Sequence, residues 1–440
     1  LFCRAQIPGQ LSPMYKGDAK LRWRDPNGIK TLIFSLTMVA LPSVGQDLPT
    51  GSPEALGMST KRLARIRPML QQYVESGTVP GIAAMVARHG KVVYFEVFGQ
   101  AQVEPSVEMD RSTIFRIYSM TKPVVSVAAM MLFEEGLFRL DDPVSIYLPE
   151  LGGLGVYDES HGDSITTTVQ ERPMTIRHLL THTSGLANGL EGESYVDSLY
   201  RRVNILDRED SLDETLAKLA RFPLLHQPGT TWKYGISMDV IAVLIERLAG
   251  KPLDEFLHER IFEPLRLLDT GYYVRSENHH RLAGCYERDS KGNWVHSRQF
   301  WADEYETPPR LHAGGFGLAS TMSDYMRFLQ MILNGGELEG VRLLSPKTVE
   351  LMLSDNLPVG VEMYFNYGYG LGFSVLKDRI RGGRLASTGT VGGGGVANTF
   401  FGIDRQDDII WMVWAQALPC CQWKLNSAFE TLVHQAIIDK

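Results

Sequence analysis

The stretch from Ile114 to Gly136 constrains this chain more than any other. Apolar residues at Ala128, Met131, Leu132 and Leu137 recur at helical spacing and Gly136 supplies a stop signal, so a helix is expected to begin near Ser119. Pro123 is comfortable only in a first turn, which supports a start nearby while blurring its position. Ser119 and Lys122 stand three positions apart, a spacing that puts both side chains on one helix face. A hydroxyl at that end also meets free backbone N–H groups and the positive end of the helix dipole. Such a place suits a nucleophile whose product oxygen must carry negative charge.

Composition narrows the class. The 440 residues are 44% hydrophobic and 22% charged, ordinary for a soluble globular protein and ample for a large core. A formal charge of −7 without a long basic run argues against nucleic-acid binding. The cysteines (Cys3, Cys285, Cys420 and Cys421) form neither a C-x-x-C pair nor a zinc spacing, and read as structural or incidental thiols. Adjacent Cys420 and Cys421 are not expected to bridge each other, since neighbours close a disulfide only with strain.

Residues 1–46 read as an N-terminal extension, the first 29 or so being upstream or added sequence. Lys30 then precedes an apolar run from Thr31 to Leu41, followed by Pro42, Ser43, Val44 and Gly45. A basic flank, roughly eleven mostly apolar residues and small residues to finish fit a secretory signal over about residues 30–45, too short to span a bilayer. On that reading the protein is periplasmic or secreted; the competing reading is a buried strand or helix in a cytoplasmic protein.

Further on, Leu63, Ile66, Leu70, Tyr73 and Val74 predict a helix kinked or delayed by Pro68. Ile82–Ala87 and Val92–Phe98 flank His89-Gly90 and predict a hairpin. Residues 141–299 mix proline, glycine and acidic residues with short helical patterns, such as Leu212–Leu219 and Met238–Leu248, and read as a mostly helical region. Sheet-like sequence returns late, with a helix at Met322–Leu333 and strands at Tyr369–Leu376, Val396–Ile403 and Ile409–Ala415. A last helix runs from about Leu425 to Ile438. The simplest architecture is α/β of the α+β type: an antiparallel sheet flanked by helices, built from residues 47–140 and 300–440.

Four-residue motifs are weak by themselves. Ser374-Val375-Leu376-Lys377 also matches S-x-x-K, but in a strand-like context where positions three apart face opposite ways. Ser354-Asp355-Asn356 and Tyr364-Phe365-Asn366 are discounted as chance matches in loop sequence. His178 and His182 could serve a Ser-His-Asp triad or a metal, yet no G-x-S-x-G and no H-E-x-x-H occurs, and His279 and His280 belong to no motif. These histidines read as structural.

Ser119 stands out by its company. The chain resembles the serine β-lactamase-like family of class C β-lactamases, D,D-peptidases and family VIII carboxylesterases. The likeness rests on Ser119-Met120-Thr121-Lys122-Pro123, on the run from His178 to Leu186, on Trp232-Lys233-Tyr234 with Asp239 and Glu246 after it, and on Gly393 to Asp404. These stretches fall in family order over roughly residues 50–435. The resemblance implies a β-lactamase-like fold and casts Tyr234 as a proton shuttle between Ser119, Lys122 and the leaving group. It also implies an oxyanion hole made of the backbone N–H groups of Ser119 and Val396, and a substrate floor at Gly393, Gly394 and Gly395. Two departures stand out. Gly393-Gly394-Gly395 replaces K-T-G, removing the lysine that would meet a β-lactam carboxylate, and Tyr234-Gly235-Ile236 lacks the asparagine of Y-x-N.

Serine needs a base within hydrogen-bond reach. Lys122 can take the proton itself or hold a tyrosine oxygen in its anionic form. The expected reaction is therefore hydrolysis of small carboxylic esters through a seryl ester, and the resemblance alone implies that the acyl chains are short. The alternatives are β-lactamase or D,D-peptidase action, or an acyl-binding homologue that does not turn over. No metal or organic cofactor is implied.

Overall fold

Two apolar strands from opposite ends of the chain lie side by side at the centre of the computed structural model, which describes residues 47–161, 165–189, 192–364, 366–421 and 424–439. The signal-like run and Cys3 lie outside these residues. The strands are β1 (Gly81–Arg88), β2 (Lys91–Gln102), β3 (Val107–Glu108), β4 (Tyr367–Tyr369), β5 (Ser374–Leu376), β6 (Val391–Gly395), β7 (Thr399–Asp404) and β8 (Ile409–Ala415). They form one eight-stranded sheet in the order β4-β5-β6-β7-β8-β1-β2-β3. Every neighbouring pair is antiparallel. The β1–β8 seam, from Ile82 opposite Ala415 to Arg88 opposite Ile409, stitches the two ends of the chain together.

Each residue of β1 and β8 is buried, because helices cover both sheet faces. Alternation along a strand sends successive side chains to opposite faces. Ala83, Met85, Met412 and Trp414 meet the core around the Thr121–Glu134 helix. Ala84, Val86, Trp411 and Val413 pack with Leu63, Ile66, Leu70, Phe429 and Val433 on the other side. Burial of a Leu, Val or Phe side chain contributes about 1.5–3 kcal/mol, so these two layers carry much of the stability.

The predicted hairpin is present, its turn made by His89 (φ 50°) and Gly90 (φ 72°). Such positive φ values match the twist of the flanking strands. Pro68 is absorbed by a late start: a short helix spans Thr60–Leu63 and a second spans Ile66–Glu75, so the proline falls in a first turn. The Met322–Leu333 and Leu212–Leu219 helices have the predicted bounds, and the last helix ends early, at His434.

Two strand boundaries differ from expectation. Tyr369–Leu376 divides into β4 and β5 around Gly372 (φ 91°), where a Cβ would lie 2.2 Å from Ser126 Oγ. Val396–Ile403 is not one strand. The glycine run forms β6, a turn through left-handed Asn398 (φ 65°) follows, and β7 begins at Thr399. Glycines carry no side-chain alternation from which a strand could be read.

Residues 141–299 supply the helices Ile176–Leu180, Tyr195–Arg202, Leu212–Leu219, Ser237–Ala249 and Leu253–Leu257. Capping boxes led by Thr175, Ser194 and Ser211 start the first three of these. Two hairpins of two- and three-residue strands also occur here, too short to show a period. Among the described residues, no helix is long and apolar enough to cross a membrane.

Cys420 and Cys421 are joined in a disulfide, against expectation. Cys421 takes a left-handed backbone (φ 68°), and its N–H donates to Asn398 Oδ1 at 3.1 Å. Sequence spacing discloses neither feature. Cys285 is free and buried.

Candidate active site

The α-helix that carries Lys122 begins at Thr121, and Ser119 sits in the 3-10 turn Tyr118–Met120 that feeds it. Tyr118 is left-handed (φ 45°) and 1% exposed, so packing holds a conformation that its own backbone disfavours. The bend is tied down on several sides. Ile117 N–H donates to Leu318 O at 3.0 Å, Leu318 N–H donates to Thr121 Oγ1 at 3.1 Å, and the Tyr325 hydroxyl donates to Met120 O at 2.8 Å.

Lys122 is buried on the same side. Its Nζ donates to Ser119 Oγ at 3.1 Å and to Gly315 O at 2.5 Å, and lies 4.5 Å from the centre of the Tyr234 ring. The serine–lysine pairing inferred from three-residue spacing is therefore present, although a 3-10 turn precedes the α-helix. Tyr234 arrives from the loop before the Ser237–Ala249 helix, which packs against the Thr121–Glu134 helix.

Ser119, Lys122, Tyr234 and Val396 line one small cavity of about 110 Å³. Its apolar walls include Leu206, Ile236, Phe300 and Phe316. A cleft of about 980 Å³ continues outward from Ser119, with Gly393, Gly394 and Gly395 along one side and Trp232, Tyr364 and Tyr369 among its aromatic residues. At Gly395 a Cβ would lie 2.6 Å from Ile117 O and 3.2 Å from Tyr118 Cβ. The end of β6 thus approaches the serine turn as only glycine allows.

The histidines take the structural places expected of them. His178 closes a capping box, with its Nδ1 accepting from Thr175 N–H at 3.2 Å, and burial brings its pKa down to about 4. His182 is fully buried; burial first, and the Lys122 charge second, hold it well below its usual range, hence neutral. Its ring lies 4.7 Å from that of Tyr234 and 5.4 Å from that of Tyr369, forming the wall behind the tyrosine. Ser374 falls in β5, and Asp355 and Asn356 in the loop after the Pro346–Met352 helix, as their discounting implied.

Asp239 was quoted only for its likeness, yet it lines the small cavity. Its carboxylate accepts from Gly315 N–H at 3.1 Å, and burial pushes its pKa up to about 6. The sequence signal was present: an acid on the apolar face of the Ser237–Ala249 helix is costly without a role. Glu246, two turns on, accepts from Leu253 N–H at 2.8 Å and ties this helix to the next.

A hydroxyl, an amine and a phenol thus share the lining of one cavity. Residues 66–419 match the family model described as Beta-lactamase. The chain belongs to the beta-lactamase family. Esterase EstB of Burkholderia gladioli is 32% identical over 378 residues, covering 80% of this chain and 90% of that protein. Monacolin J acid methylbutanoyltransferase of Aspergillus terreus is 28% identical over 397 residues, covering 79% and 89%. Among solved structures, EstCE1, a hydrolase with promiscuous acyltransferase activity, superposes with a TM-score of 0.72 at 25% identity, covering 86% of this chain and 99% of that one. The fold of this beta-lactamase-family chain, an antiparallel sheet flanked by helices, is the one its motifs implied. These three relatives are named as an esterase, an acyl-group transferase and a hydrolase with acyltransferase activity.

Proposed function

We propose that this chain is a serine carboxylesterase that cleaves small esters with short acyl groups through a seryl ester. The observation that carries the reading is the position of Lys122 Nζ, 3.1 Å from Ser119 Oγ and over the face of the Tyr234 ring. Ser119 Oγ attacks the ester carbonyl, and its proton passes to the Lys122–Tyr234 pair. That pair returns a proton to the departing alkoxide, which leaves as the alcohol. Water then attacks the acyl-serine, releasing the acid and restoring the hydroxyl. The tetrahedral oxyanion of each half-reaction is held by the N–H groups of Ser119 and Val396. Gly393, Gly394 and Gly395 give the substrate a flat backbone to lie against.

The glycines in place of K-T-G favour esters over β-lactams, since no lysine at that motif meets a substrate carboxylate. Intact-mass detection of a fluorophosphonate adduct on Ser119 tests the nucleophile. Turnover of nitrophenyl esters against a chromogenic cephalosporin tests the substrate. Rapid cephalosporin hydrolysis with no ester turnover would transfer the site to the β-lactamase reading. A burst of product without a steady state would favour the acyl-binding homologue.

A further inference from the structure

A buried carboxylate costs several kcal/mol of desolvation unless something compensates it. Asp239 is such a group, in the first turn of the Ser237–Ala249 helix, where the dipole favours negative charge. The compensation leads straight to the serine site. Its carboxylate accepts from the backbone N–H of Gly315 at 3.1 Å. The carbonyl of that same Gly315 takes the Lys122 amine at 2.5 Å. Carboxylate, peptide and amine thus form one line ending 3.1 Å from Ser119 Oγ.

The backbone of residues 314–315 is pressed against the helix turn with no room for side chains. A Cβ on Gly314 would lie 2.1 Å from Met238 O, and one on Gly315 would lie 2.9 Å from Asp239 Oδ2. On its N-terminal side this segment is fastened again, by the Tyr272 hydroxyl donating to Ala313 O at 3.0 Å.

We propose that Asp239 is a positioning residue of this site: it fixes the Gly315 carbonyl that aims Lys122 at Ser119. The inference rests on the ester-hydrolase reading and deepens it. The titratable groups around Asp239 are Lys122 from the Thr121–Glu134 helix, Tyr234 across the cavity, and Tyr272. Burial, and secondly the charge of Asp239, push the Tyr272 phenol well above its usual range, so it stays neutral. Burial places the Asp239 titration at about 6, inside the range where turnover can be followed. Below that pH the acid is neutral and holds the Gly315 N–H less strongly, so the carbonyl that aims Lys122 is less firmly fixed.

The test is the pH profile of nitrophenyl-ester turnover for the whole chain and for Asp239→Asn. In the wild type, kcat/KM should fall on the acid side around pH 6. In Asp239→Asn, kcat should drop roughly 10- to 100-fold with KM little changed, the usual scale for losing a group that orients a reacting residue. The acid limb should disappear with it. A residue that only stabilised the fold would lower the yield of active protein and leave the limb in place.

Asp239→Asn with wild-type kcat and an intact limb overturns the inference, as does a wild-type profile flat through pH 6. Should Asp239→Asn not fold, Gly315→Ala displaces the carboxylate without changing any charge. It should show the same loss of kcat, and full kcat there overturns the inference. Wild-type protein that takes no fluorophosphonate on Ser119 sinks the hydrolase reading and this inference together. Labelled wild type beside an indifferent Asp239→Asn sinks this inference alone.

Discussion

The Lys122 amine lies over the face of the Tyr234 ring, 4.5 Å from its centre, while donating to Ser119 Oγ at 3.1 Å. A cation over an aromatic face is attracted by the ring quadrupole, more so when water is excluded. Ring and amine therefore hold each other in place beside the serine, and each can be tested separately.

Ser119→Ala should reduce ester turnover by at least about 10³-fold and abolish the fluorophosphonate adduct, since the proposed mechanism takes its attacking oxygen from this hydroxyl. Lys122→Met, close in volume, should lose a comparable amount while the protein stays folded. Steady-state kinetics and intact mass check activity, and circular dichroism checks the fold. Full activity in either variant would remove that residue from the mechanism.

Tyr234→Phe separates the hydroxyl from the ring. The ring keeps its packing on His182 and Trp232, at 4.7 and 6.1 Å between centroids, so the thermal midpoint should barely move. Loss of proton transfer should lower kcat by roughly 10²- to 10⁴-fold, with KM little altered. A drop in stability with kcat retained would make Tyr234 a wall of the cavity only.

Gly395→Ala should damage both fold and activity, because its methyl would lie 2.6 Å from Ile117 O. Either β6 or the serine turn must shift, and overpacking of this kind costs about 1–3 kcal/mol. In the proposed mechanism a shift there also moves the Val396 N–H away from the oxyanion, so kcat should fall by more than the stability loss alone explains. Urea unfolding and kinetics on the same variant measure the two effects. Unchanged kcat would argue against Val396 as an oxyanion donor.

Away from the site, His434 and Asp404 form a buried pair at 3.5 Å that should govern stability against pH. Asp404 accepts from Ser387 N–H at 2.7 Å and from Gln406 N–H at 3.0 Å. Although burial opposes it, the His434 imidazole beside it and the hydrogen bond from Ser387 pull its pKa well below the usual carboxylate range. The carboxyl's contribution is complete above its unfolded pKa near 4 and is lost as pH falls toward the native value. For His434, burial pulls the pKa down, but Asp404 and the Glu430 carbonyl outweigh it, and the net shift is upward. Its contribution is complete below about pH 6.5 and is lost as pH rises through the raised native pKa. Urea midpoints should therefore decline on the alkaline side in the wild type, and His434→Gln should flatten that decline. An identical alkaline slope in the variant would show that His434 does not carry it.

The local devices were legible because each leaves a mark a few residues long. The His89-Gly90 turn, the Met322–Leu333 helix, the strand Ile409–Ala415 and the Ser119–Lys122 pairing all follow from spacing and turn chemistry. Strand β6 was hidden because its glycines carry no alternation, and the Asn398 turn because left-handed backbone in asparagine has no obligatory signature. The disulfide between Cys420 and Cys421 was not expected of adjacent cysteines, and the left-handed backbone of Cys421 (φ 68°) leaves no mark in the sequence.

By itself the sequence determined which short segments become helix or strand and which residue types could do acyl chemistry, because propensity, periodicity and capping act over a few positions. Only the tertiary structure decided that β1 lies against β8, that the Gly315 carbonyl and the Tyr234 ring both meet Lys122, and that Asp239 stands behind them. Those contacts join residues from distant parts of the chain, and burial in a shared core brings them together; nothing local to any one of them specifies its partner.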